Sequence, residues 1–232
     1  MRRRGGRAGR SAPRPLMIPD PAGPLGDAAL RETGIEIGAG KVLLLACGAL
    51  AREILAVNTA NGADHFTLRC LPAILHNHPD RIVDALRPMI ARGQAEGFAQ
   101  IFILYGDCGT GGQLDALCQE TGVDRIAGPH CYSFFEGNQT FAARGDDDMR
   151  AFYLTDFLVR QFDAFFWRPM ALDRHPELRD SYFGHYETLV YMAQTEDAAL
   201  SDKAVQIAER LALKFERRAT GYGDLANTLA RL

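Results

Sequence analysis

Lysine is scarce in this sequence, and no hydrophobic run is long enough to cross a membrane. The chain has 232 residues, of which 47% are hydrophobic and 24% charged, with a formal net charge of -3. A bilayer-spanning helix needs roughly 20 consecutive apolar residues, whereas the apolar runs here have the length of β-strands. The slightly acidic balance gives no general attraction to nucleic acid. We therefore expect a soluble cytoplasmic protein with one sizeable core and no membrane or nucleic-acid partner.

Closely spaced cysteine pairs are also missing. The chain has 5 cysteines but no Cys-x-x-Cys motif, so the local knuckle of a typical structural zinc site is excluded. An odd number of cysteines in a chain of this size argues against a secreted disulfide scaffold. We expect reduced thiols, with any metal ligands drawn from distant parts of the sequence.

The first 14 residues differ from the rest of the chain. They contain six arginines, and no acidic residue occurs before Asp20. A transit peptide, a basic arm and a start codon placed too early, with Met17 as the true start, are alternative explanations. Because Gly, Pro and Arg dominate here, residues 1–39 are predicted to be a disordered leader and linker.

Short apolar runs alternate with helical segments between residues 40 and 147. Lys41–Ala46 and Gln100–Tyr105 are typical of strands that are buried on both faces, and His65–Arg69 and Asp124–Ala127 are weaker candidates. This is the spacing of βαβ units. The sequence therefore predicts an α/β fold: a parallel sheet of at least four strands with helices on both faces.

Residues 148–232 are predicted to form a helical carboxyl-terminal third packed on this core. The candidate helices are Met149–Trp167, Tyr186–Gln194 and Ser201–Arg217. The first carries an aromatic stripe that needs a surface to cover. We therefore expect this third to close part of the crevice at the strand ends, with Tyr182, His185 and Tyr186 nearby.

Four cysteines fall where the predicted strands end. Cys47, Cys70, Cys108 and Cys131 follow the four strands in turn, whereas Cys118 lies inside a predicted helix. Ligands of open α/β sheets bind beyond the carboxyl ends of the strands. Because thiolates are soft ligands, these four cysteines predict a site for zinc or an iron–sulfur cluster. Simple filling of the core by cysteine is the alternative.

Other residues near these strand ends are candidates for proton transfer or ligand binding. His130 adjoins Cys131, and His76 and Glu53 each lie six residues beyond a cysteine, so they are candidate catalytic residues, although Glu53 also fits a solvated helix charge. The glycine-rich loop Gly106–Gly112 precedes a helix, where backbone amides can bind an anion. Its candidate cofactor-binding residues are Gly106, Thr110, Gly111 and Gly112.

Several segments together resemble one family of unknown function found in bacteria and methanogenic archaea. They surround Cys47, Cys70–His76, Tyr105–Cys108, His130–Tyr132, Phe152–Phe157 and Leu172–Leu178, and the likeness covers roughly residues 40–230. Members of that family are often encoded beside corrinoid-dependent methyltransferases. The resemblance implies a corrinoid protein or methyltransferase as partner and corrinoid as a further candidate cofactor. The resemblance does not assign a catalytic role to any residue of this chain.

Three functions stay open at this point. The chain could be a zinc-thiolate or iron–sulfur dependent transferase, or an accessory factor, in corrinoid-linked methyl transfer or one-carbon metabolism. It could instead carry or sense an iron–sulfur cluster or a corrinoid without catalysis. In the third case it is a structural module whose cysteines belong to the core. The sequence leaves open whether it forms homo-oligomers.

Overall fold

The computed structural model describes residues 25–145 and 149–232. Its first half alternates strands and helices. In chain order these elements are α1 (Asp27–Glu32), β1 (Ile35–Gly38), β2 (Val42–Cys47), α2 (Ala51–Ala60), β3 (Phe66–Leu71), α3 (Ile82–Glu96), β4 (Gln100–Leu104), α4 (Gln113–Thr121) and β5 (Asp124–Arg125). Short 3-10 turns precede α2 and α3.

These strands form one sheet in the order β1-β3-β2-β4-β5. Strands β2 to β5 are parallel, which confirms the predicted α/β class and the parallel sheet. The central strand β2 places Leu43, Leu44 and Leu45 at 0% exposure, as expected for a parallel strand covered on both faces. On one face α3 packs closely, since a Cβ atom on Gly93 would lie 2.5 Å from Leu43.

The predicted leader and linker, residues 1–39, is partly wrong. Residues 1–24 lie outside the described part of the chain, but α1 and β1 occupy the second part of that segment. Strand β1 pairs antiparallel with β3, with Ile35 opposite Cys70, and Leu30 in α1 is fully buried. These elements are too short for their apolar residues to stand out against the surrounding Gly, Pro and Arg.

The second half of the chain contains a sheet of its own, so the predicted helical carboxyl-terminal third is wrong. Its elements are α5 (Ser133–Glu136), α6 (Asn138–Ala143), β6 (Ala151–Thr155), α7 (Asp156–Arg160), a π-helical turn (Asp163–Trp167), α8 (Arg179–Phe183), β7 (Thr188–Ala193), α9 (Ala198–Leu211), β8 (Lys214–Ala219) and α10 (Gly223–Leu229). Strands β6, β7 and β8 form a parallel three-stranded sheet in that order.

A buried carboxylate joins the first two strands of this second sheet. Asp156, at the start of α7, accepts hydrogen bonds from the Tyr191 hydroxyl (2.8 Å), the Gln194 amide (3.1 Å) and the Thr195 hydroxyl (2.6 Å). Asp156 is 1% exposed. A buried carboxylate needs such donors to offset its lost hydration, so this network fixes the end of β6 against the end of β7.

Across residues 25–145 and 149–232, no helix combines the length and the apolar character that crossing a bilayer requires.

Candidate functional site

A cavity of about 380 Å³ lies between the carboxyl edge of the first sheet and strand β6 of the second. Cys47, Cys108 and Cys131 line it from the first half of the chain. The opposite wall comes from β6, α7, the π-helical turn and Tyr186, which precedes β7. The Phe and Tyr residues that line it are Tyr105, Tyr132, Phe135, Phe152, Tyr153, Phe165, Phe166 and Tyr186.

Two of the thiols are in direct contact. The Sγ atoms of Cys108 and Cys131 are 3.1 Å apart. Their loops are held together by backbone hydrogen bonds from Asp107 to Gly128 (2.9 Å) and from Cys108 to Pro129 (2.8 Å), which extend the β4–β5 pairing beyond the strands. Cys108 has a left-handed backbone, with φ of 49°. Such a conformation is costly for a non-glycine residue and often marks a functional site.

The two thiols differ in acidity. The pKa of Cys108 is lowered, first by its hydrogen bond with the Cys131 thiol and then by backbone hydrogen bonds of Cys131 and Gly106, although burial opposes this. The pKa of Cys131 is raised, first by the Cys108 thiol and then by burial. Cys108 is therefore the thiol that ionises first, and its thiolate would be the better metal ligand or nucleophile.

Cys47 ends β2 and forms a third thiol in the same cavity. Burial is the main reason that its pKa is raised to about 12, while a backbone hydrogen bond of Ala49 and a contact with the Tyr105 hydroxyl lower it. That hydroxyl is also buried, and apart from this weak contact with a thiol it has no hydrogen-bond partner. An unpartnered buried hydroxyl facing a cavity is unusual, because burial without a partner costs about 1–3 kcal/mol.

The remaining two cysteines lie elsewhere. Cys70 is inside β3 rather than after it, opposite Ala46 of β2, and it does not line the cavity. Its pKa is raised well above the usual value, chiefly by burial, as expected for a thiol in the core. Cys118 lies within α4, in agreement with the prediction that it packs in a helix.

Both candidate histidines line the cavity. His76 is accessible at the surface but faces the edges of Phe165 and Phe166, with ring centroids 6.1 and 6.4 Å away. His130 stacks on Tyr132 at 4.8 Å, and Tyr132 stacks on Tyr153. Burial lowers the pKa of His130 by disfavouring the charged form. The pKa of His76 is lowered in the same direction, because neighbouring side chains keep water from part of the residue even though it reaches the surface. Both rings are therefore neutral at pH 7 and able to accept a proton or a metal.

Glu53 is buried in α2 rather than solvated, at 5% exposure. Its Oε2 atom has no hydrogen-bond partner. Burial raises its pKa to about 7, although Arg160 and Arg52 lower it. Glu53 does not line the cavity, so it has no direct path to a ligand there.

The glycine-rich loop binds its own carboxylate. Asp107 accepts hydrogen bonds from the Thr110 hydroxyl (2.8 Å) and from the amides of Gly111 (3.2 Å) and Gly112 (2.8 Å). These are the groups that an anionic cofactor was expected to use, and in this arrangement Asp107 occupies them. Gly106 has a different role, since it allows the backbone of His130 to approach closely.

The sequence did not single out Tyr105 or β6 as parts of the site. Tyr105 looks like the last residue of an apolar strand, and Phe152 and Tyr153 look like helix residues in a long aromatic segment. Tyr186 was expected near the crevice and lines it, whereas Tyr182 is 41% exposed and does not. Among the residues that the structure describes, no three His, Cys, Asp or Glu side chains stand together as a ready metal-binding group.

Comparison with known proteins identifies a family but no characterised relative. No curated protein and no solved structure matches the chain. Residues 70–229, more than half of the chain, match the family described as "Protein of unknown function (DUF1638)". The matched region includes Tyr105, Cys108, Cys131 and the whole second sheet. The chain belongs to this family.

Proposed function

We propose that this chain binds a soft metal ion, zinc in the first instance, through Cys108 and Cys131, with Cys47 as the third ligand. The observation that carries the proposal is the 3.1 Å contact between the Sγ atoms of Cys108 and Cys131 on the wall of a cavity that Cys47 also lines. Two thiols from loops and one from a strand end, all at one edge of a sheet, are a suitable donor set for such a metal.

The residues present fit a metal in their chemistry, although one side chain must move. Thiolates that share a zinc ion at about 2.3 Å lie roughly 4 Å apart, so Cys108 and Cys131 need only a small separation. Cys47 lines the same cavity, and its side chain would have to move toward the pair to join them. The backbone hydrogen bonds to the Cys108 sulfur are the kind of support that metal-bound thiolates receive.

A zinc ion with three thiolate ligands would keep one coordination position for a further ligand. A zinc ion held in this way would act as a Lewis acid and lower the pKa of a thiol or water bound to it. That chemistry suits a transferase or an accessory factor in one-carbon metabolism, including corrinoid-linked methyl transfer. The cavity volume of about 380 Å³ favours a metal with a small ligand over a corrin ring bound inside. An iron–sulfur cluster on the same thiols is the variant of this proposal.

Titration of the reduced, metal-free protein with Co(II) tests the proposal. Thiolate ligation produces intense ultraviolet charge-transfer absorption that grows with the number of bound thiolates. We expect this absorption in the wild type, its near-complete loss in Cys108→Ser and Cys131→Ser, and a partial loss in Cys47→Ser. Cys118→Ser is the matched control and should titrate like the wild type. Equal absorption in all five proteins would overturn the proposal.

The same contact favours a second candidate function, reversible disulfide formation. A disulfide bond is about 2.05 Å long, only about 1 Å shorter than the observed sulfur separation. A low-molecular-weight disulfide would oxidise the two thiols: Cys108 attacks it, one thiol leaves, and Cys131 displaces the second. The protein loses two hydrogens, and the oxidant becomes two thiols.

Mass spectrometry separates this candidate from metal binding. Redox function requires one protein disulfide to form in a glutathione buffer and to disappear in Cys131→Ser, which should instead trap a mixed disulfide on Cys108. If Cys108 and Cys131 stay reduced in an oxidising glutathione buffer while the protein binds Co(II), redox function is excluded and metal binding is supported.

A further inference from the structure

The cavity that holds the thiols also has the composition of a binding site for an uncharged molecule. Among the described residues that line it, none is Asp, Glu, Lys or Arg. Apart from two histidines, its titratable lining groups are cysteine thiols and tyrosine hydroxyls. A charged ligand entering this space would lose its hydration without meeting an opposite charge, which is costly. The Phe and Tyr walls instead offer contact to an apolar body.

One polar group inside this apolar wall lacks a partner. Tyr105 is 2% exposed and lines the cavity, and apart from a weak contact with the Cys47 thiol its hydroxyl has no hydrogen-bond partner. A tyrosine hydroxyl carries its proton at neutral pH and can donate it in a hydrogen bond. A ligand atom that accepts this hydrogen bond would satisfy the orphan group.

We propose that the cavity binds a small uncharged organic molecule with an apolar body and a single hydrogen-bond acceptor, which the Tyr105 hydroxyl recognises. The volume of about 380 Å³ is at the small end of the range for ligand sites, so the ligand is a compact one. The proposal concerns the same cavity as the metal site but does not require a metal, and it therefore stands or falls separately.

Four isosteric probes separate charge from hydrogen bonding. Acetophenone is neutral and carries one acceptor, α-methylstyrene is neutral and carries none, benzoate is an anion and benzamidinium is a cation. Their affinities for the reduced, metal-free full chain can be compared by saturation-transfer NMR with competition. We expect acetophenone to bind at least about 10-fold more tightly than either ion, and about 5-fold more tightly than α-methylstyrene, the usual net effect of one hydrogen bond.

Two variants and one control test whether the probes bind in the cavity. Tyr105→Phe should make acetophenone and α-methylstyrene bind equally, whereas Tyr182→Phe, which changes an exposed tyrosine outside the cavity, should leave the wild-type order intact. Ala151→Leu narrows the cavity from β6 and should weaken every probe, and it serves as the second test if Tyr105→Phe does not fold. Unfolding midpoints measured on each variant show which ones are native.

Four results would overturn the proposal. The first three are equal or tighter binding of benzoate or benzamidinium, an acetophenone preference that survives in native Tyr105→Phe, and affinities that Ala151→Leu leaves unchanged. The fourth is absence of binding by all four probes. None of these results affects the Co(II) titration, and a failed titration does not affect the probe series, so the two proposals fail independently.

Discussion

Gly106 packs directly against the backbone of His130: a Cβ atom on Gly106 would lie 2.8 Å from the His130 carbonyl carbon. This close approach brings the loop after β4 to the loop after β5 and thereby places Cys108 beside Cys131. The juxtaposition of the two thiols thus depends on a glycine that has no reactive group of its own.

Replacing Gly106 by alanine should separate the two thiols. The clash is with backbone, which cannot give way easily, so the loops must shift at a cost of about 1–3 kcal/mol. We expect slower disulfide formation between Cys108 and Cys131, measured by mass spectrometry at fixed glutathione potential. Gly111→Ala is the control, because a Cβ there meets nothing within 4 Å although φ is +63°. It should lose comparable stability but keep the oxidation rate, and equal rates in both variants would contradict the packing role of Gly106.

The buried carboxyl of Glu53 should make stability depend on pH. Its pKa in the folded chain is about 7, against 4.5 when solvated, so the folded state holds a proton that the unfolded state releases between these values. The free energy of unfolding should therefore fall by roughly 3 kcal/mol at most as pH rises from 4.5 to 7. Above pH 7 it should stay level. Urea unfolding at several pH values should show this slope in the wild type and not in Glu53→Gln.

Glu209→Gln, at an exposed position of α9, is the control for that series. It should retain the wild-type slope between pH 4.5 and 7. Parallel curves for the wild type and Glu53→Gln would show that this carboxyl does not titrate in the folded chain.

Asp156 and Tyr191 should act as a unit in stabilising the second sheet. Asp156→Asn disturbs three donors at once and should cost about 3 kcal/mol of unfolding free energy, whereas Tyr191→Phe removes one of them and should cost about 1 kcal/mol. Because the residues share a hydrogen bond, the double variant should lose less than the sum. Strictly additive losses in denaturant unfolding would mean that the network does not couple them.

The first sheet could be predicted from the sequence because its central strands are continuous apolar runs. Lys41–Ala46 and Gln100–Tyr105 are long enough to stand out, and each is followed by a loop that contains glycine. Three of the cysteines that were predicted at strand ends, Cys47, Cys108 and Cys131, line one cavity, whereas metal binding by them stays a prediction.

The second sheet could not be predicted because its strands carry ambiguous signals. Leu189–Ala193 is a short buried run, and such runs fit a helix or a strand equally well by periodicity. Strand β8, with the sequence Lys-Phe-Glu-Arg-Arg-Ala, is rich in charge because it lies at the sheet edge. Tertiary pairing with β7, which no local pattern encodes, decides its conformation.

The sequence predicted that the carboxyl-terminal third closes part of the crevice, but it did not indicate which residues form the wall. Tyr105 and Phe152 acquire their roles only when the two sheets face each other. The contact between Cys108 and Cys131 depends likewise on the path of two loops, which strand spacing alone does not determine.

Elemental analysis of anaerobically purified protein tests metal binding most directly. Protein expressed with zinc and iron supplied should retain about one zinc per chain, or iron with matching sulfide if the thiols hold a cluster. Cys108→Ser should lose the metal while keeping its fold, because a rigid sheet rather than the site holds the chain together, and Cys118→Ser should keep both. Full metal retention in Cys108→Ser, or metal-free wild-type protein under these conditions, would contradict the proposal that these thiols form a metal site.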